Sequence, residues 1–169
     1  QALPTTVTFV VAHKTKGVIG TVALAEDSSM GVPMDTIYNS ELNELRSNHT
    51  RFAEICRLAM DEHLLATDEF KMTRSQRLLM LFHLYKAMYN YFRASNGLDE
   101  LVACFHPRHE FVYQFLGFTP LGTLKPHPSV QGSPAVARRL SKKEHLIDAI
   151  TNPRHQDLMF YWEEPVSQQ

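Results

Sequence analysis

From Phe52 to Asp61 the chain reads FAEICRLAMD, a β-rich apolar decamer with a glutamate at Glu54 and an arginine at Arg57. Side chains of a regular strand alternate between the faces of its sheet, so residues three apart point in opposite directions. Burying a lone charge in an apolar layer is expensive, so each of the two needs a partner or a task. Either they form a buried salt bridge, or the strand loses its regularity between them and turns both toward one cleft.

The segments around the decamer define the sheet that must hold it. TVTFVVAHKTKGVIGTVALAED (6–27) contains two β-rich runs about a Lys-Gly turn, which predicts a hairpin. GVPMDTIYNSELNELRSN (31–48) has a proline start, an acidic first turn and an amphipathic helical stretch. After the decamer, residues 62–72 show little periodicity and read as a loop. Residues 73–96 predict the longest helix, with Gly97 at the usual C-terminal capping position. At 100° per residue its apolar arc runs through Leu78, Met80, Leu81, Leu84, Tyr85, Met88, Tyr89, Tyr91 and Phe92, the pattern of a core-facing side.

A strand at 101–106 and a short proline-started helix at 107–117 follow. FTPLGTLKP and SPAVARRL then read as two final strands, and SKKEHLIDAI as a polar helix. The order β-β-α-β-α-β-α-β-β predicts an α/β fold, one sheet with helices on both faces.

Composition narrows the function. With 169 residues, 44% of them hydrophobic, the chain can bury the core of one domain. A formal charge of −1 gives a dedicated nucleic-acid binder no support, so any charged partner must meet a local patch. No apolar run reaches the roughly 18 residues of a membrane span, and no signal-peptide pattern opens the chain. Cys56 and Cys104 sit in strand-like apolar runs, as buried thiols of a reducing cytoplasm do. The first residue is Gln1, which reads as a trimmed N-terminus.

Three stretches, AEICRLAMD, HPRHEFVYQFLGFTPLG (106–122) and HPSVQGSPAVA (127–137), set in this element order, resemble the GCN5-related N-acetyltransferase (GNAT) fold. Within it they are most similar to the FeeM-type branch of N-acyl amino acid synthases, relatives of the LuxI-type acyl-homoserine lactone synthases. The resemblance spans residues 5–140, expected to form one acyltransferase domain, and leaves 141–169 as a helical tail. It implies a mixed, mostly antiparallel sheet with a splayed central parallel strand pair. It also implies a β-bulge in the decamer's strand, which would shift the alternation and bring Glu54 and Arg57 toward one cleft. Two departures stand out: the family's N-terminal segment is missing, and Cys56 stands where relatives often have serine.

Acyl transfer to an amine needs a deprotonated amine, an oxyanion site and a proton for the leaving thiolate. Glu54 is the candidate base, provided burial lifts its carboxyl above the ordinary value of about 4.3. A close Arg57 would lower it, so Arg57 fits better as the anchor for an amino acid's carboxylate, where a guanidinium fork suits. The ordinary buried Glu–Arg pair stays open as the alternative. Tyr113, four residues before Gly117, stands at the family's general-acid position, against the plainer reading of a core tyrosine. Backbone N–H groups at the bulge, near Leu58 to Met60, are the candidate oxyanion site.

For the donor, residues 62–76 contain no glycine, which disfavours a backbone cradle for the pyrophosphate of CoA. One phosphate needs less: a helix N-terminus and a cation or two. Arg74 and Arg77 lie in the first turn of the long helix, against its dipole, and Lys71 lies at the rim. No tightly bound cofactor is expected, but an acyl-phosphopantetheine co-substrate on an acyl carrier protein, with acyl-CoA as alternative. The other rivals are an acyl-homoserine lactone synthase and a non-catalytic acyl-carrier or lipid-binding module. His106 and His109 lack the further ligands of a metal site. Phe105, Phe111, Phe115 and Phe118 with Met80 and Met88 offer an acyl pocket or simply core.

Overall fold

Two β-rich runs joined by a tight turn can satisfy facing backbone groups against each other. In the computed structural model, which describes residues 5–65 and 72–151, they do so as β1 (Thr6–His13) and β2 (Gly17–Glu26). The proline start then leads into α1 (Asp35–Ser47), and the decamer forms β3 (Phe52–Met60). A one-turn helix, α2 (Glu62–Leu65), stands where the sequence reads as loop. The long helix α3 (Arg74–Ala94) is fixed at its start by a capping box between Thr73 and Gln76. It ends at Ser95, which is extended, so Gly97 is not its cap.

Next come β4 (Glu100–Phe105), a 3-10 turn (Pro107–His109) and the short α4 (Glu110–Phe115). The chain returns through β5 (Thr119–His127) and β6 (Ser133–Ser141) into α5 (Lys142–Thr151). Most of the expected tail, from residue 152 onward, lies outside the described residues.

The six strands form one sheet in the order β1-β2-β3-β4-β6-β5. Only β3 and β4 run parallel; every other neighbour is antiparallel. This is the mixed sheet with a central parallel pair that the resemblance implies. Each face carries its own core. α1 contributes Tyr38, Leu42 and Leu45 over Phe52, Val102 and Ala137. α3 contributes Leu84, Tyr85, Met88, Tyr89 and Phe92 over Ala53, Ile55, Leu101, Ala103 and Leu140, with Tyr113 and Phe118 from the far end. Most of the predicted arc is thus buried, with Met80 packed on Ile19 of β2, but Leu78 is exposed.

Tyr38 ties the first layer to the far edge of the sheet. Its ring is fully buried, and its hydroxyl bonds the Thr123 and Ala135 carbonyls at 2.9 and 2.8 Å. β5 comes so close that a Cβ on Gly122 would meet the Tyr38 ring at 2.8 Å. Tyr38→Phe leaves those carbonyls facing an apolar ring edge, and should cost about 1–3 kcal/mol in urea unfolding. An unchanged midpoint would mean that packing and the Lys125 bonds to Glu41 and the Ile37 carbonyl hold β5 and β6 to α1 without the hydroxyl.

Candidate active site

Parallel pairing of β3 and β4 runs from Phe52 opposite Glu100 to Ile55 opposite Ala103, and there it stops. Both strands continue, to Met60 and Phe105, so the sheet opens into a split. The cause lies on the other edge of β3. Its antiparallel register with β2 passes from Cys56 opposite Ala23 to Ala59 opposite Thr21. Arg57 and Leu58 therefore share Val22, which is a β-bulge. Arg57 takes a left-handed φ of 53°, and its carbonyl accepts the Thr21 hydroxyl at 3.0 Å. The strand does not stay regular between the two charges.

Glu54 sits two residues before the split, on the α1 face, with 5% of its surface exposed. Its Oε2 accepts the Met34 N–H, 2.7 Å away, at the N-cap of α1. Burial outweighs that bond and, helped by nearby Asp35, pushes the carboxyl up to about 7. Cys56 on the same strand and Cys104 on β4 feel the Glu54 charge, and burial first, then that charge, raises the Cys104 thiol to about 11. Both cysteines are free thiols, half-buried rather than fully so.

Arg57 is exposed and makes no ion pair with Glu54, so the buried Glu–Arg pair left open by the sequence is absent from this fold. Leu58 is exposed and Met60 half-buried, and beyond Ile55 no strand among the described residues pairs with the β4-facing edge of β3. Tyr113 lies across the sheet from Glu54, in the α3 core. Its ring stacks on Phe105 at 3.7 Å between centroids, and its hydroxyl is hydrogen-bonded with that of Tyr85. Burial raises the phenol above its ordinary 10.0.

Arg74 is the first residue of α3, and its side chain lies outside the described part, as does Lys71. Arg77 donates to the Leu65 carbonyl of α2 at 3.0 Å. The aromatic set does not converge: Phe118, Met80 and Met88 are core, whereas Phe111 is 77% exposed. His106 accepts the Arg108 N–H at the 3-10 turn, and the described residues hold no cluster of three metal-ligating side chains. No described helix is long and apolar enough to cross a membrane.

The sequence reading missed Met34 and Tyr85. VPMD does signal a helix start, but nothing local says which carboxylate meets it. Tyr85 is one of several tyrosines on an apolar arc, and only the fold gives it a hydroxyl partner.

The family whose model matches residues 1–141 is described as N-acyl amino acid synthase FeeM. Among solved structures, FeeM, an N-acyl amino acid synthase from uncultured soil microbes, is 30% identical over 83% of this chain and 75% of its own, with a TM-score of 0.65. BjaI, a CoA-dependent acyl-homoserine lactone synthase solved with SAM and isopentyl-CoA, is 15% identical at TM-score 0.57, over 95% of this chain and 66% of its own. The spermidine/spermine N-acetyltransferase SpeG from Vibrio cholerae is 18% identical at TM-score 0.50, over 85% of this chain and 69% of its own. The last two likenesses are of fold. No curated protein gives a significant match.

The Glu54 carboxyl should be visible in stability. Its value rises from 4.5 unfolded to about 7 folded, so its contribution is fully present below pH 4.5 and is lost as pH climbs to 7. Glu54→Gln removes that loss. The variant should gain roughly 2–3 kcal/mol on wild type between pH 4 and pH 8 in denaturant titrations. A pH-independent difference would mean an ordinary carboxyl.

Proposed function

The chain belongs to the FeeM family of N-acyl amino acid synthases and is an N-acyltransferase, and from that premise we propose that it moves a fatty acyl group from the thioester of an acyl carrier protein to the amine of an amino acid. The observation that carries the chemistry is Glu54: a buried carboxyl titrating near 7 beside the opening of a split sheet. A base of that strength takes a proton from an ammonium near neutral pH far better than one of about 4.3.

In the proposed reaction Glu54 accepts the proton, directly or through water, and the amine nitrogen bonds to the thioester carbon. The oxyanion is met by backbone N–H groups near Leu58 to Met60, at the unpaired edge of β3. The C–S bond then breaks, and Tyr113 gives the thiolate its proton. A phenol above 10 facing a thiol of about 8.5 makes that step uphill by at least roughly 2 kcal/mol, within reach of a transition state. Arg57, exposed at the bulge, holds the acceptor's carboxylate.

On the donor side Arg74 and Arg77 meet the phosphate of the phosphopantetheine arm, with Lys71 at the rim. The glycine-free run 62–76 supports one phosphate over a pyrophosphate, hence the carrier protein over CoA. No tightly bound cofactor takes part, and the setting is a bacterial-type cytoplasm, where acyl carriers and free amino acids meet.

Two variants test this. Glu54→Gln should lower turnover at least tenfold near neutral pH, and least at high pH, where amines deprotonate unaided. A rate unchanged across pH removes Glu54 from the chemistry. Arg74→Glu with Arg77→Glu should cripple transfer from acyl carrier protein, in a salt-dependent way, and spare a small pantetheine thioester. Saturable turnover of acyl-CoA at micromolar concentration, indifferent to both reversals, would assign the donor to CoA.

A further inference from the structure

The two ends of α1 are joined by one side chain, that of Arg46. Arg46 in the last turn bonds Asp35 at the first helical position, at 2.8 and 2.7 Å. Eleven residues of straight helix would extend roughly 16 Å, beyond the reach of an arginine. The contact exists because α1 kinks at Tyr38, where φ is −114° and ψ is 31°. The same guanidinium bonds Asp27 at 2.9 and 2.6 Å. Asp27 in turn is fixed to the sheet, its N–H on the Phe52 carbonyl at 3.0 Å.

Asp35 also accepts the Val32 N–H at 2.7 Å, two residues before Met34. Gly31 permits this: its φ is +73°, and a Cβ there would stand 2.4 Å from the Asp35 carboxylate. One chain of bonds thus runs from β3 through Asp27, Arg46 and Asp35 to the loop whose Met34 N–H rests on Glu54.

We propose that Arg46 is a positioning residue for Glu54: its fork joins Asp27 and Asp35 and thereby holds the Met34 N–H against the Glu54 carboxylate. The assignment rests on Glu54 acting as the base. The charged and titratable groups about Glu54 are few: Asp35 from α1, Cys104 from β4, and Cys56, next to Arg57, on β3 itself. Of these, Asp35 is the one whose charge and place both depend on Arg46. Without the fork the N–H that favours the ionised carboxyl moves away, and Asp35 stands uncompensated beside it. Both changes disfavour a second negative charge, so both move Glu54 the same way.

The test reads the carboxyl and the rate separately. In Arg46→Met, carbon-13 NMR of the labelled Glu54 side chain, assigned through Glu54→Gln, should show the midpoint raised by about one pH unit. The acid limb of kcat/KM should follow it, with KM for the acyl donor unchanged. Arg46→Lys keeps the charge without the two-sided fork, should hold the fold if Met does not, and should give an intermediate rise. A midpoint unmoved or lowered in either variant overturns the positioning role. A midpoint that rises while the pH–rate profile stays still leaves the clamp standing and removes Glu54 as base.

Discussion

Everything at the candidate site depends on one backbone constraint, the left-handed conformation of Arg57 in the middle of β3. A non-glycine residue there costs on the order of 1 kcal/mol, and the surrounding sheet has to offset it. The Thr21 hydroxyl on the Arg57 carbonyl is part of that offset. The extra residue bends β3 away from β4, so the parallel ladder ends at Ile55. A regular strand would have kept the ladder closed, and Glu54 would then be a carboxylate in a sealed layer.

The electrostatics of Glu54 follow from two opposed effects of similar kind. A helix N-terminus favours a carboxylate, and the Met34 N–H bond alone would lower its pKa. Burial acts the other way and is larger, since water is the better solvent for the charge. Asp35 shows the balance reversed. It too loses solvent, but the Arg46 fork and the Val32 N–H win, and its carboxyl lies below 3.8. Two carboxylates beside one helix start are thereby driven apart, one held ionised and one pushed toward its neutral form.

Much of this was readable in the sequence, for reasons that differ by element. The hairpin, α1 and the α3 arc come from periodicity and turn residues, which are local signals. Of the two corrections on α3, the early end follows from the extended backbone at Ser95, and the exposed Leu78 depends on which neighbours cover each position of the arc, which is tertiary information. The bulge was legible only through resemblance, because ten letters with ordinary β propensity do not announce a left-handed residue. Glu54 was legible because a charge in an apolar run has to be explained. Its partner was not, because the Met34 N–H is a backbone group, and backbone groups look alike in every sequence.

In the proposed reaction the sheet would also keep the acid and the base from neutralising each other. Glu54 belongs to the α1 face and Tyr113 to the α3 face, and between them lies a layer of paired backbone. A direct Glu–Tyr hydrogen bond would tie up the very proton each is meant to accept or release. Separated by the strands, they can both face a reacting centre only where the layer is open, beyond Ile55 and Ala103. An acyl thioester entering that opening from the α3 side would present its carbonyl carbon to an amine on the α1 side. In the proposed reaction the split would then do more than admit substrate: it would set donor and acceptor on opposite faces of the sheet.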